Sequence, residues 1–507
     1  MKDHEKKDDG WRWPEHGHDV HELRDTLKRS AAFESPYDGD SPAFCYPGTP
    51  IVRDALAVTD GQPLFALQPN NIGTHTQEAR EREGGFEGPQ AIEADAIWMA
   101  ADIVGGTKDT VDGYFCGGAT EGNIAGMWIA REWLRRHPDP MQRGIIVLCT
   151  PLTHYSIHKA TAMLDIGQAS PRYALCSRCH REHLFMPDPT GRGVALVGMN
   201  ERWEMDIGEL RRIFKLCYKD GFRRFIIVPT IGTTATGSVD SVAAIGAFVQ
   251  GIHRTTHARC YMHVDAAFGG FTVPFVQQNC QIGFDVPEVM SLTLDADKMG
   301  QLPYPAGIFL CRKDLQQSIG RQVTYIRGHE DNTVSGSRSA IPALFAWFQF
   351  RADGRAGQRA YVHRCLTARN RLVTLIQQHL PWATVHRYSE VVNILPVELP
   401  IDGDHGDVPH LIADMHTQEE YDALAPEARA CAGYLAGYQL RADYVPSDPK
   451  DPESCPRIVY KLCIMPHTFA VLPPDADGEA PLSDRLEYFV QKLAEAKVLW
   501  DTYVATR

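Results

Sequence analysis

The chain contains 507 residues, of which 44% are hydrophobic and 23% charged, and its formal net charge is −13. This composition is typical of a globular protein with two or three domains, or with one large α/β domain and additions. The acidic balance argues against nucleic acid or an anionic membrane surface as a partner. No apolar run reaches the roughly 18 residues of a membrane span. The polar start lacks the apolar core of a secretory signal and the 13 cysteines are scattered, so we expect a cytoplasmic protein with reduced thiols.

Two stretches with different patterns come first along the chain. Residues 1–60 are polar and interrupted by Pro and Gly, and we interpret them as an N-terminal arm. Residues 61–335 alternate helical patterns, as at 88–105 and 122–137, with short, continuously apolar runs. The predicted strands of this stretch are 144–150, 224–230, 260–268, 291–297 and 306–311. Continuous apolar strands separated by helices favour an α/β domain with a mostly parallel sheet.

The remaining stretch, residues 336–507, has another pattern. Strands are predicted at 390–400 and 457–466, and a last helix at 483–504 carries its apolar residues on one side. We interpret this stretch as a smaller α+β C-terminal domain.

Chemically reactive side chains follow several predicted strands, and the carboxyl ends of parallel strands are where an open sheet places its chemistry. The segment "YFCGGATEGN" (114–123) passes from a strand through glycines into a helix, which is either an anion site or a plain turn. His154 follows the next strand as a site residue or as a loop histidine. Asp265 ends a strand. A buried carboxylate there needs a cation or a strong donor, and the alternatives are that Asp265 caps a helix or joins a core ion pair. Lys298 follows "SLTLDAD" and is either a reactive amine or an exposed loop lysine.

Together these four features are what pyridoxal phosphate needs. A glycine-rich helix entry anchors the phosphate, and an aromatic side chain lies near the cofactor ring. A carboxylate keeps the pyridine nitrogen protonated, and an amine binds the aldehyde as a Schiff base. The predicted cofactor is therefore pyridoxal 5′-phosphate, with Lys298 as the amine.

With these motifs the sequence resembles the group II pyridoxal-phosphate-dependent amino-acid decarboxylases, which have the aspartate-aminotransferase-like fold (fold type I). It looks most like the archaeal-type tyrosine/aspartate decarboxylases, with sphingosine-phosphate lyases as cousins. The match runs from "QPNNIGTHTQ" (68–77) to "TVSGSRSA" (333–340), and the C-terminal domain matches in layout only. The large cofactor-binding domain is thus expected at 61–335 and the small domain at 336–507. An arm that could close the site of a second subunit favours a homodimer with active sites at the interface.

The resemblance implies a role for each residue that matches a family motif. These residues are Asn71 in the segment lining the substrate mouth, Gly118, Ala119 and Thr120 at the phosphate, His154 stacked on the cofactor ring, Thr233 and Thr234 beside the cofactor, Asp265 at the ring nitrogen, Ala267 under the ring, Lys298 as the Schiff-base lysine, and Arg338 near the substrate α-carboxylate.

Asp297 departs from the family pattern, which has histidine just before the lysine. A phosphate dianion would repel a carboxylate there unless a cation intervenes or the carboxylate points away, so Asp297 either accepts a structural backbone hydrogen bond or alters the chemistry. After carbon dioxide leaves, a general acid must protonate Cα. Tyr325 and His329 of "TYIRGHED" are the candidates, with ordinary surface positions as the alternative for each.

The segment "CSRCHREH" (176–183) offers a rival motif. Its C-x-x-C-H spacing matches c-type haem attachment, which requires export and is therefore set aside. Cys176, Cys179, His180 and His183 include good zinc ligands, but no second ligand pair follows them. We interpret the segment as a polar insertion loop and predict no metal.

The predicted reaction is α-decarboxylation of an L-amino acid, with an aromatic one such as tyrosine favoured, to give the amine and carbon dioxide. The aromatic preference rests on the branch resemblance and on Phe44, Tyr46 and Phe65 around the expected mouth. One alternative is carbon–carbon cleavage of a phosphorylated amino alcohol, as in sphingosine-phosphate lyases. The other is a non-catalytic scaffold that binds pyridoxal phosphate.

Overall fold

The computed structural model describes thirteen segments of the chain, and all structural statements below concern them. They are residues 13–32, 69–70, 76, 87–166, 172–175, 182–185, 193–302, 304–324, 330–386, 389–399, 442–452, 454–465 and 485–505.

The described segments contain seventeen strands and nine α-helices. The strands are β1 (Pro69–Asn70), β2 (Val111–Cys116), β3 (Ile145–Cys149), β4 (Arg172–Leu175), β5 (Glu182–Phe185), β6 (Val194–Leu196), β7 (Arg224–Ile227), β8 (Arg259–Asp265), β9 (Val289–Asp295), β10 (Gly307–Arg312), β11 (Arg321–Gln322), β12 (Glu330–Asp331), β13 (Arg338–Ser339), β14 (Thr384–Val385), β15 (Ile394–Glu398), β16 (Ala442–Pro446) and β17 (Pro456–Cys463). The helices are α1 (Val20–Ala32), α2 (Glu87–Ile103), α3 (Ala119–Arg135), α4 (Tyr155–Met163), α5 (Ile207–Lys219), α6 (Val242–Thr255), α7 (Val273–Val276), α8 (Ile341–His379) and α9 (Arg485–Ala505).

A seven-stranded sheet with the order β2-β10-β9-β8-β7-β3-β6 forms the centre of the large domain. The neighbours from β9 to β6 pair in parallel, and β10 runs antiparallel to both β2 and β9. The predicted α/β class with a mostly parallel sheet is therefore confirmed. The predicted helices at 88–105 and 122–137 correspond to α2 and α3.

The sheet is buried on both faces, and most side chains of its strands are apolar. Every residue of β3 is buried, and alternate side chains enter two different cores. Ile146 and Leu148 pack in the core that contains side chains of α2, α5, α6 and α8, whereas Val147 packs with side chains of α3 and α4. Helices on both faces leave the carboxyl ends of the strands open at one edge, where loops can carry chemistry.

The C-terminal part forms a four-stranded antiparallel sheet with the order β14-β15-β17-β16. Side chains of β15 and β17 share a separate apolar core with α9 and the second half of α8, including Leu372 and Ile376. The first half of α8 instead joins the large-domain core through Ala343 and Phe350. Since α8 serves both cores, the boundary between 335 and 336 stays a prediction.

Part of the predicted arm packs on its own chain. Trp13 is buried and stacks on Phe350 with ring centroids 4.2 Å apart. The backbone of α8 breaks at Gly354, where φ is 60°. The freed N–H group of Arg355 donates to the Pro14 carbonyl, and that of Ala356 to the carbonyl of residue 15. Residues 13–18 therefore close the break in α8. No helix of the described segments is long and apolar enough to cross a membrane.

Candidate active site

The predicted site residues follow strands whose carboxyl ends share one edge of the sheet. Asp265 ends β8 and Asp295 ends β9, while α3 and α4 begin just after β2 and β3. Because β2, β3, β8 and β9 point the same way, Gly118, His154, Asp265 and Lys298 are brought to the same edge. The structure thus assembles the four features that the sequence analysis combined.

The N-terminus of α3 is open at this edge. Gly118 is the N-cap residue, with φ of +114°, and no side chain caps the helix there. A Cβ atom added at Gly118 would meet nothing within 4 Å. Ala119 is buried and Thr120 half-buried. The open space at Gly118 and the positive end of the helix dipole suit a phosphate, although the Ala119 N–H also interacts with the Asp295 carboxyl group.

A second glycine supports this turn from the sheet. Gly307, the first residue of β10, lies so close to the turn that a Cβ atom there would be 2.3 Å from the carbonyl carbon of Gly118. The Gly117 N–H donates a 2.8 Å hydrogen bond to Glu121 Oε2. The turn is therefore held by its neighbours while its outer side stays open.

Lys298 lies in a charged cluster after β9. Its Nζ is 3.2 Å from Asp295 Oδ2, and the Asp295 side chain is 7% exposed. Burial raises the pKa of Asp295 to about 6, and the charge of Lys298 opposes this shift. Asp297 Oδ2 accepts a 3.0 Å hydrogen bond from the Ala306 N–H. One oxygen of the unusual Asp297 thus has the structural backbone contact that the sequence analysis left open.

His154 caps α4 with its ring. Its Nδ1 lies 2.8 Å from Ser156 Oγ and 3.3 Å from the Ser156 backbone N, whose hydrogen it accepts. Burial lowers the pKa of His154, Asp265 opposes this shift, and Lys298 and Lys461 reinforce it. A neutral ring with these charges around it suits an aromatic contact with a cofactor.

Asp265 belongs to a buried hydrogen-bond network that the sequence analysis missed. Asn123 of α3 donates from Nδ2 to Asp265 Oδ2 at 2.9 Å and to Ser156 Oγ at 2.8 Å. Its Oδ1 lies 3.0 Å from His263 Nε2, and His263 Nδ1 lies 2.8 Å from Ser291 Oγ. Because an amide oxygen only accepts, His263 Nε2 carries the hydrogen and Nδ1 accepts from Ser291. Asn123 stands in "GGATEGN" and His263 in "HVDAAFGG", so both motifs contained the signal.

Burial lowers the pKa of His263 to about 4, so the ring is neutral at physiological pH. The Ala267 N–H donates to Asp265 Oδ1 at 3.2 Å, which gives each carboxylate oxygen of Asp265 a donor. The network therefore fixes the orientation of the Asp265 carboxyl group through both of its oxygens.

The "GTT" turn lies next to β8. The Ile231 N–H donates to the backbone carbonyl of Asp265 at 2.8 Å, which fixes the turn beside the site. Thr233 is buried, and its Oγ1 lies 2.8 Å from both Thr236 Oγ1 and Ser238 Oγ. Thr234 is half-buried. Thr233 holds the turn together, and Thr234 is the more accessible of the two.

Arg338 is buried in an ion pair. Its Nη2 lies 3.3 Å from Glu93 Oε2, and its guanidinium lies 4.9 Å from the centre of the Tyr114 ring. Asn70 pairs with Arg338 between β1 and β13, so the segment containing Asn71 begins beside this arginine. An α-carboxylate that binds Arg338 would therefore have to share the guanidinium with Glu93.

Several predicted residues lie outside the described segments. They are Phe44, Tyr46, Phe65, Asn71, Cys176, Cys179, His180, Tyr325 and His329. His183 falls within β5, of which only the backbone is described. Among the described residues, no group of three or more His, Cys, Asp or Glu side chains could hold a metal ion.

Comparisons with known proteins identify the family of the chain. A family model described as the pyridoxal-dependent decarboxylase conserved domain matches residues 92–395. The tryptophan decarboxylase of Clostridium sporogenes is 30% identical over 336 residues, which cover 66% of this chain and 72% of that protein. A probable L-tyrosine/L-aspartate decarboxylase of Methanocella arvoryzae is 29% identical over 282 residues, which cover 55% and 64%.

The fold is shared with solved structures. The L-methionine decarboxylase of Streptomyces sp. 590 matches with a TM-score of 0.60 and 18% identity, over 85% of this chain and 87% of that chain. The family match spans more than half of the chain, and the sheet has the predicted arrangement. The chain therefore belongs to the pyridoxal-dependent decarboxylase family and is a fold type I, pyridoxal-phosphate-dependent amino-acid decarboxylase.

Proposed function

We propose that the protein removes the α-carboxylate of a free L-amino acid, with an aromatic side chain favoured, and releases the amine and carbon dioxide. The observation that carries this proposal is the position of Lys298, at the same sheet edge as the open N-terminus of α3 and the hydrogen-bonded Asp265. When bound, pyridoxal 5′-phosphate supplies an electron sink for the bond that breaks.

The residues present fit this cofactor. The space at Gly118 and the uncapped start of α3 suit its phosphate, with Ala119 and Thr120 beside it. Lys298 would bind the aldehyde, and His154 and Ala267 would contact the ring, with Thr233 and Thr234 alongside. Asp265 would hold the proton on the ring nitrogen, and hydrogen bonds from Asn123 and the Ala267 N–H would orient its carboxyl group.

Substrate orientation requires a cation for the α-carboxylate. Arg338 remains our candidate, because a guanidinium can bind a carboxylate through two parallel hydrogen bonds. Lys461 of β17 is a second candidate, because its charge acts on His154 and its side chain is 30% exposed. The general acid for Cα is proposed to be Tyr325 or His329. We also propose a homodimer whose partner subunit helps to close each site.

The aromatic preference has support from two relatives, whereas others are named for histidine or for aspartate alone. One is named for tryptophan, and the other for tyrosine and aspartate. An aromatic side chain is common to both names, whereas an acidic one appears in only the second. The preference is thus a proposal about this chain, separate from its membership of the family.

The experiment is a panel of carboxyl-labelled tyrosine, phenylalanine, tryptophan, aspartate and glutamate, each incubated with the full chain and the cofactor. Labelled carbon dioxide from an aromatic substrate supports the proposal. Release from aspartate or glutamate alone would overturn the aromatic preference. No release from any amino acid, with an aldehyde formed from a phosphorylated amino alcohol, would identify a carbon–carbon lyase instead.

A further inference from the structure

Two carboxyl groups accompany the amine that binds the cofactor. Asp295 and Asp297 stand three residues and one residue before Lys298, and we call them the acid pair. Asp295 Oδ2 is 3.2 Å from Lys298 Nζ, and Asp297 Oδ2 accepts the Ala306 N–H. The Asp295 carboxyl lies close enough to Asp297 to influence its pKa, which burial raises. Asp297 stands where the resemblance places a histidine.

One oxygen of each member of the acid pair is poorly satisfied. Within the described segments, Asp295 Oδ1 and Asp297 Oδ1 are buried and lack a hydrogen bond of good geometry. The two carboxyl groups interact with each other, Asp297 also interacts with the Tyr304 side chain, and Asp295 with the Ala119 N–H. A buried carboxylate oxygen without a donor costs about 1–3 kcal/mol or more. Asp295 as a whole residue is 5% exposed, so solvent does little to offset this cost. The pair therefore has capacity for further hydrogen-bond donors.

Lys298 is a cation whose charge acts on both carboxyl groups of the acid pair, and its Nζ contacts Asp295 Oδ2. An ammonium has three N–H groups, of which the contact with Asp295 Oδ2 uses one. The acid pair thus places two carboxyl groups beside one amine, Asp295 in direct contact with Nζ and Asp297 next to Lys298 in the chain. The charges of this cluster act on the titratable groups Cys116 of β2, His154 of α4, Tyr304 of the following loop and Cys463 of β17. Glu121 of α3 acts in turn on Cys116, and Lys461 of β17 acts on His154 and Cys463.

We propose that the acid pair holds Lys298 as an ammonium after substrate has displaced it from the cofactor, and that Asp297 is a positioning residue for this released state. The proposal rests on the proposed function. With the cofactor bound, the substrate nitrogen would replace Lys298 Nζ on the cofactor carbon, one carbon–nitrogen bond forming as the other breaks. Because each nitrogen would carry one proton while bonded to the cofactor, Lys298 Nζ would gain the two protons that the substrate ammonium gives up, and no outside acid would be needed.

The first test measures the resting holoprotein. The visible absorbance band of the cofactor bound to Lys298 is titrated with pH for the wild type, Asp297→Asn and Asp297→Glu. The Asn amide oxygen can still accept the Ala306 N–H, so the substitution removes the charge and keeps that contact. We expect Asp297→Asn to lower the midpoint by about one pH unit, because an opposite charge has been removed from the nitrogen. Asp297→Glu should restore the midpoint most of the way to the wild-type value.

The second test measures the released lysine. The holoprotein is saturated with the methyl ester of the amino acid that gives labelled carbon dioxide, and is then treated briefly with acetic anhydride. Peptide mapping quantifies acetylated Lys298. Since only the neutral amine reacts, we expect about tenfold faster acetylation in Asp297→Asn. Asp220→Asn is the matched control, because Asp220 is exposed at the end of α5, just before β7 and thus at the opposite edge of the sheet.

The outcomes separate the two proposals. An unchanged midpoint in Asp297→Asn would overturn the role of the acid pair, as would an equal shift in Asp220→Asn. If the midpoint shifts in Asp297→Asn but the rate of Lys298 acetylation does not change, the role of the acid pair in the released state would be overturned. If no amino acid gives carbon dioxide while the midpoint still shifts, the proposed function fails but the charge coupling between Asp297 and Lys298 stands.

Discussion

Asn123 and Asp265, 142 residues apart in the chain, are joined by a 2.9 Å hydrogen bond from Nδ2 to Oδ2. The same amide accepts from His263, and this chain of contacts continues to Ser291. Asn123 thus couples the helix that carries the phosphate turn to the strand that carries the carboxylate. A shift of α3 along its axis would move both anchors of the cofactor together.

Replacement of Asn123 is expected to impair the electron sink more than the fold. Asn123→Ala removes one donor from Asp265 and leaves His263 Nε2 without its acceptor, at a cost of about 1–3 kcal/mol in the free energy of unfolding. We expect kcat to fall at least tenfold and cofactor affinity to fall with it. Asn279→Gly is the control, because Asn279 is exposed and has φ of 55°, which glycine adopts freely. Equal losses in both variants would show a general effect of destabilisation.

Asp265→Asn should keep the fold and lose most of the activity. The new amide has nearly the same volume, but the negative charge that favours the protonated ring nitrogen is gone. Its NH₂ group would also face the Asn123 NH₂ group unless one amide turns over. Circular dichroism should match the wild type while carbon dioxide release drops. Near-normal turnover would mean that Asp265 does not meet the ring nitrogen.

Borohydride reduction of the holoprotein, followed by peptide mapping, should place the cofactor on Lys298. Two other lysines have different contacts. Lys159 Nζ lies 5.1 Å from the centre of the Tyr155 ring, and Lys313 Nζ lies 3.4 Å from a backbone carbonyl at residue 108. A label on Lys159 or Lys313 would contradict the site assignment. Lys298→Arg should give no visible band.

The residues predicted from sequence and those missed differ in the range of their contacts. Lys298 and Asp265 were predictable because each follows an apolar strand, and parallel strands end at one edge. The ion pair of Arg338 with Glu93 was not predictable from sequence, because it joins residues 245 apart and depends on how α2 packs against β13. The strand β6 has only three residues, too few for a distinct pattern. The contact of Asp297 with Ala306 spans nine residues and was left open as one of two interpretations.

The glycine at position 307 is expected to be essential for the phosphate turn. In Gly307→Ala the new Cβ would lie 2.3 Å from the carbonyl carbon of Gly118, so backbone must shift. We expect weaker cofactor binding, measured by titration of the visible band, and a loss of about 1–3 kcal/mol in stability. Gly251→Ala is the matched control in α6, where a Cβ meets nothing within 4 Å. That change should stabilise the protein slightly, because alanine favours the helix. Unchanged cofactor affinity in Gly307→Ala would contradict the placement of the phosphate.

The buried His263 predicts a loss of stability in mild acid. The ring is 0% exposed, and burial lowers its pKa from 6.5 to about 4. In the unfolded chain the ring takes up a proton as the pH falls through 6.5, whereas in the folded chain it stays neutral until about 4. The contribution of His263 to stability is therefore fully present above pH 6.5 and is lost between 6.5 and about 4. At about pH 5 the loss is on the order of 2 kcal/mol. Urea unfolding at about pH 7 and about pH 5 measures it, with His263→Gln expected to lose less stability between the two conditions than the wild type. His257→Gln is the control, because His257 is exposed. An equal pH dependence in His263→Gln and the wild type would show that His263 is not the group that titrates.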